Sequence, residues 1–176
     1  MPHPHPSLPA SPTLAAIALG ANLKHPTAQI RAALDALAGL PSTGVVNTSS
    51  IIITEAVTVG QVSPGGSYHN AAAIIATTLS ATELLAHLQT IERILGRDRT
   101  TQPHGAPRTI DLDLVLYGNL ILTTPALTVP HPSMHERTFV LIPLAEIAPE
   151  MLIPTVGRTI AAQLATLRSA QSGASR

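Results

Sequence analysis

The sequence predicts an α+β fold, an antiparallel sheet with helices packed against it. Three observations lead there. Apolar runs of strand length alternate with stretches whose apolar residues recur at helical spacing. Glycine- and proline-bearing breaks separate them. One helix is also announced by its ends, a Ser80-Ala81-Thr82-Glu83 capping box before it and Gly96 after it.

Residues 1–12 form a leader in which prolines alternate with His3 and His5; it is expected to be disordered, because proline blocks helix and ladder alike. Thr13–Gly20 is short, apolar and ends in glycine, so it reads as a buried strand. Thr27–Leu40 places Ile30, Ala33, Leu34 and Leu37 on one helical face, and Gly39 with Pro41 ends it. Gly44–Thr54 carries Val45, Val46 and the Ile51–Ile53 run, a strand composition. Glu55–Ser67, with Gly60, Pro64, Gly65 and Gly66, is a loop longer than most connections.

Tyr68–Leu79 reads as the next strand. The capped helix follows, with Leu84, Leu85, Leu88, Ile91 and Leu95 inward. Arg97–Pro107 is a second long polar loop. Ile110–Tyr117 is a strand, and Gly118-Asn119 turns it into a short strand over Leu120–Thr123. Met134–Ala148 and Arg158–Leu167 are expected helices, and 169–176 a flexible tail. The order is βαββαβ, a ferredoxin-like arrangement with C-terminal helical additions, in one domain over residues 13–168.

Composition narrows the function. Ten basic residues balance ten acidic ones, which argues against nucleic acid or an anionic membrane as a partner. There is no cysteine, hence no disulfide or thiolate metal site. No apolar run approaches the ~20 residues that span a bilayer, and no secretory pattern is present. The expectation is a soluble cytoplasmic protein.

The chemistry centres on the strand Ile110–Tyr117. Side chains alternate between faces, so Ile110, Leu112, Leu114 and Leu116 are expected on a core face, with Asp111 and Asp113 together on the other. Two such carboxylates repel unless a cation or a proton lies between them, and a hard divalent metal resolves that repulsion. A pair on the wet face of a strand is the alternative. Neither G-x-x-x-x-G-K-[ST] nor a G-x-G-x-x-G after the first strand is present, so phosphate binding would fall to side-chain cations and metal. Arg93, Arg97, Arg99, Arg108 and Arg137 are half of the ten basic residues, and the guanidinium fork suits phosphate. With one Phe, two Tyr and no Trp, an aliphatic core has little use for Tyr68 and Phe139. They could stack a flat heterocycle whose edge Asn70 reads. His131 is held between two prolines.

These residues together resemble the 6-hydroxymethyl-7,8-dihydropterin pyrophosphokinase family of folate biosynthesis. Ala106-Pro-Arg-Thr-Ile-Asp-Leu-Asp-Leu-Val-Leu-Tyr-Gly118 is similar to its P-R-[ST]-[IL]-D-L-D-[IL] signature, and Leu127–Pro149 to its second block. Ile17–Leu23 and Tyr68–Ala72 match its first strand and its pterin-side strand. The resemblance implies transfer of pyrophosphate from ATP to the hydroxymethyl group of a reduced pterin, releasing AMP, by a ferredoxin-like enzyme that is often monomeric. It implies two Mg²⁺ ions on Asp111 and Asp113. It puts the pterin between Tyr68 and Phe139, its edge read by Asn70 and by the backbone near Thr54 and Val57. It assigns ATP and its phosphates to Glu92, Arg97, Arg99, Arg108, Thr128, His131 and Arg137. The chain departs from many members at Pro103-His104-Gly105-Ala106, where an Arg-Trp-Gly run is common. Two rivals share the pattern in part: another Mg-dependent nucleotidyl or phosphoryl transferase on this fold, and a non-catalytic small-molecule-binding domain.

Overall fold

The computed structural model describes residues 11–55, 66–97 and 107–173. Its centre is β1 (Thr13–Ala21), which pairs antiparallel with β4 (Tyr68–Thr77) on one side and β5 (Asp111–Tyr117) on the other. Alanines fill both central strands, Ala15, Ala16 and Ala18 in β1 and Ala71, Ala72 and Ala73 in β4, so helices can lie close to the sheet. β2 (Thr43–Thr48) and β3 (Ile52–Thr54) both pair with the far edge of β4, giving the order β2-β4-β1-β5 with β3 beside β4.

The expected strand over 44–54 is thus two strands. The break is at Ser49, whose Oγ accepts the Ala72 N–H (2.8 Å) and donates to the Ser50 carbonyl (2.8 Å). A side chain there replaces a ladder carbonyl, a role serine fills readily.

α1 (Pro26–Ala38) and α2 (Ala81–Ile94) cover one face of the sheet. Ser80 caps α2 as expected: its Oγ accepts the Glu83 N–H, and the Glu83 carboxylate accepts the Ser80 N–H. Such a cap is worth about 1 kcal/mol. Ile30, Leu37, Leu84 and Leu88 pack here on Ile17, Leu19, Ile75, Ile110, Leu112 and Leu114. Burying each large aliphatic contributes about 2 kcal/mol.

Leu116 leaves this expected set. The pairing of β1 with β5 slips between Ala16 and Ile17, so Leu116 pairs with Ala16 and Leu114 with Ile17. Val115 is the extra residue of a bulge, and beyond it alternation reverses. Val115 and Leu116 therefore pack into the opposite core.

That second face is closed over part of its area. The expected helix from Met134 is a 3-10 turn (Met134–Glu136), a break at Arg137 in extended conformation, and α3 (Thr138–Ile147). α3 and α4 (Ile160–Gly173) bury Val140, Leu141, Leu144, Ile160 and Leu164 on Ala16, Ala72, Ile74 and Leu116. Glu146 ties the end of α3 to the β2–β3 break, accepting from Ser50 N–H (2.9 Å) and Ser50 Oγ (2.6 Å). Two small ribbons complete the fold: β6 (Leu122–Thr123) with β7 (Thr128–Val129), and β8 (Leu152–Ile153) with β9 (Arg158–Thr159). Residues 120–121 thus precede the short strand expected from Leu120, and Arg158 and Thr159 pair before α4 begins. Helix continues to Gly173, into the stretch expected to be a loose tail.

Candidate active site

The part of the second face not under α3 and α4 carries the polar residues. Asp111 pairs with Gly20, Gly20 with Asn70, and Asn70 with Ile52. Asp113 pairs with Ala18, and Ala18 with Ala72. Paired residues share a face, as do residues two apart in a strand. Asp111, Asp113, Asn70 and Tyr68 therefore stand on one surface, together with Thr54, the partner of Tyr68. The floor between the aspartates and Asn70 is Gly20; a Cβ there would lie 3.6 Å from Asn70 Oδ1.

Asn70 is buried. Its Nδ2 donates to Thr54 Oγ1 (2.9 Å), so Oδ1 is left toward the face as an acceptor. Phe139 is the second residue of α3 and is half-buried at the margin of the same face. The Arg137 guanidinium lies 5.8 Å from the centroid of its ring, in cation–π contact.

The carboxylates stand in different environments. Asp111 Oδ1 accepts from Arg97 Nη1 and Oδ2 from Arg108 Nη1. Burial alone would raise its pKa, but the two guanidiniums outweigh that and hold it below the ordinary value. Asp113 is pushed up to about 6, by burial and by the charge on Asp111, against the pull of Arg108, Arg137 and Arg97. Asp113 is therefore the member of the pair that takes up a proton in the mildly acidic range.

Arg97 is placed by the end of α2. Gly96 takes a positive φ of 87°, and the Arg97 N–H then reaches back to the Glu92 carbonyl (2.9 Å), ending the helix in a Schellman-type turn. Glu92 also bonds the Arg97 guanidinium with its side chain. Its Oε1 accepts the N–H of Leu112, the residue between the aspartates, at 2.8 Å. Only 1% of Glu92 is exposed. The Glu92 carboxylate thus braces the edge strand from below and steadies one arginine above it. Arg108 is fixed through its backbone: its N–H donates to Asn22 Oδ1 (2.8 Å) and its carbonyl accepts the Asn22 N–H (3.1 Å).

His131 follows β7, and its N–H donates to the Val115 carbonyl (2.9 Å). Its pKa is lowered by burial and by Arg137, against a pull from Asp111. Thr128 stands in the β6–β7 ribbon opposite Thr123. Val57, Arg99 and His104 lie outside the described residues. The sequence reading passed over Gly20, Asn22 and Thr109. Gly20 is found only through its pairing between Asp111 and Asn70, and Asn22 only through its bonds to the Arg108 backbone.

Among the described residues no cluster of three or more His, Asp or Glu side chains forms a closed metal cage. Two carboxylates on one face are the donor set of a hard cation that takes its remaining oxygens from phosphates and water. Asp113, whose charged form is disfavoured by burial and by the charge on Asp111, fits such a cation.

The profile of the 7,8-dihydro-6-hydroxymethylpterin-pyrophosphokinase (HPPK) family matches residues 16–149. A 2-amino-4-hydroxy-6-hydroxymethyldihydropteridine pyrophosphokinase of Haemophilus influenzae is 45% identical over 138 residues, covering 78% of this chain and 83% of that one. The protein of the same name from Pseudomonas aeruginosa is 41% identical over 140 residues, covering 78% and 82%. Among solved structures, the Plasmodium falciparum wild-type HPPK-DHPS with pterin and p-hydroxybenzoate superposes with a TM-score of 0.71 at 13% identity. The match covers 92% of this chain and 44% of that one, and it speaks for the fold alone.

Proposed function

The chain belongs to the 7,8-dihydro-6-hydroxymethylpterin-pyrophosphokinase family, and on that premise we propose how its residues divide the work. The activity is transfer of pyrophosphate from ATP to the hydroxymethyl group of 6-hydroxymethyl-7,8-dihydropterin, in folate biosynthesis. The observation that carries the residue assignment is the shared sheet face of Asp111, Asp113, Asn70 and Tyr68.

The pterin lies against Tyr68 and Phe139. Asn70 Oδ1 accepts from its ring edge while Thr54 holds the amide in that orientation. The pterin hydroxyl oxygen attacks the β-phosphorus, the bond from that phosphorus to the α,β-bridging oxygen breaks, and AMP leaves; the hydroxyl proton is lost. Asp111 and Asp113 would hold Mg²⁺, which would offset phosphate charge. Arg97 and Arg108 now neutralise Asp111; with nucleotide present they turn their forks to phosphate oxygens. Arg99, Arg137, His131 and Thr128 complete the nucleotide side. Glu92 serves it as a brace. Catalysis is then alignment and charge compensation, with no covalent intermediate.

Three further readings accompany this. The strand order β2-β4-β1-β5, with α1 and α2 on one face, supports a ferredoxin-like core to which α3 and α4 add a second layer. A monomer in the cytoplasm suits a pathway of small soluble metabolites. Among the described residues no helix is long and apolar enough to cross a membrane. The direct test mixes the protein with MgATP and 6-hydroxymethyl-7,8-dihydropterin and separates the products. AMP with a pterin diphosphate is expected. ADP would mean an ordinary kinase, and free pyrophosphate a nucleotidyl transfer; either would overturn the assignment.

A further inference from the structure

Two buried polar atoms beside the aspartates have no partner. Asn22 and Thr109 are 4% and 3% exposed, and neither Asn22 Nδ2 nor Thr109 Oγ1 has a hydrogen-bond partner among the described residues. Buried polar groups are nearly always paired, and those that are not call for an explanation. They are the only two such side-chain atoms among the described residues, and they flank the same residue, Arg108.

The amide of Asn22 is not free to turn over. Its Oδ1 accepts the Arg108 N–H at 2.8 Å, which leaves Nδ2 as an idle donor. Thr109 is the next residue after Arg108, and its buried hydroxyl is the second idle group. Two guanidiniums are at hand: that of Arg108 bonds Asp111 Oδ2, and that of Arg97 bonds Oδ1. Two idle donors beside two guanidiniums suit an anionic oxygen.

We propose that Asn22 Nδ2 and Thr109 Oγ1 form a donor pair for a phosphate oxygen of the bound nucleotide. This rests on the pyrophosphokinase reading and adds two ligands to it. Both atoms are closed to solvent in the nucleotide-free chain. A phosphate that draws Arg108 off Asp111 opens the way to them. The protein carries two unsatisfied groups in the free state and satisfies them in the bound one, so the interaction favours binding selectively.

Thr109→Val tests this, because it keeps the shape and removes only the hydroxyl. The melting temperature is measured without nucleotide, and Mg²⁺ with α,β-methylene-ATP is titrated calorimetrically. The expected result is an unchanged or raised melting temperature together with roughly 10-fold weaker binding of the analogue. Asn22→Asp keeps the oxygen that Arg108 uses, loses the donor, and is expected to weaken binding more. A lowered melting temperature with unchanged affinity in Thr109→Val would show that the hydroxyl is paired within the protein, and would overturn the proposal. Unchanged affinity with a raised melting temperature would overturn it too. The wild type is assayed alongside for AMP formation: if it forms AMP while both variants bind normally, this inference fails and the activity stands.

Discussion

The two faces of the sheet share every strand and are built for opposite ends. Under α1 and α2 the inward positions are mostly apolar, and the helices bury them. On the other face α3 and α4 do the same for Ala16, Ala72 and Ile74, then stop. Beyond them the same strands offer Asp111, Asp113, Asn70 and Tyr68. One face is assembled for stability. The polar part of the other holds Asp113, whose charge burial and Asp111 disfavour, and two buried donors without a partner among the described residues, and these cost stability unless something binds. A site of this kind is recognised by what the free protein leaves unresolved.

If the faces are separable in this way, variants should sort cleanly. The largest effect expected is on turnover. Asp111→Asn removes the proposed metal ligand and the partner of two guanidiniums, and kcat/KM should fall on the order of 10³-fold while the far-UV circular dichroism is unchanged. Turnover within a few-fold of wild type would separate these carboxylates from the chemistry.

Leu88→Ala, on the closed face, should do the reverse. Leu88 is fully buried, and truncation should cost about 3 kcal/mol in a urea titration. At temperatures where the variant stays folded, its KM values should match wild type. A shifted KM would show that the two faces are coupled.

A pH series sharpens the contrast further. The folded-state pKa of Asp113 is about 6, above its unfolded value of 3.8. Its favourable contribution is therefore complete below about pH 4 and is lost as pH rises through about 6. Asp111, with a lowered pKa, runs the other way: its stabilisation is present above 3.8 and is lost only as pH falls through the lowered value. Asp113→Asn should match wild type near pH 4 and exceed it above pH 6.5, by at most about 3 kcal/mol. A difference that stays flat with pH would remove the like-charge account. The smallest effect belongs to a feature remote from the site: Ser80→Ala should lose about 1 kcal/mol with normal kinetics.

Local rules made much of this legible in the chain itself. The alternation that puts Asp111 and Asp113 on one face depends on a two-residue period, and the α2 cap on residues three apart. Both are carried by near neighbours, so the sequence determined them unaided. The split of the edge strand at Ser49, the bulge at Val115 and the helix break at Arg137 depended on what lies across the sheet. The same holds for the arginines. That Arg97 and Arg108 should both land on Asp111, that Glu92 should bond the N–H between the aspartates, and that Asn22 should pin the Arg108 backbone are pairings across 14, 3, 20 and 86 positions. Three of the four span long stretches of chain, and even the short one depends on how Arg108 is held from afar. Which charged group meets which is settled only when the strands are in register, because a buried charge takes whichever partner the packed fold brings within reach.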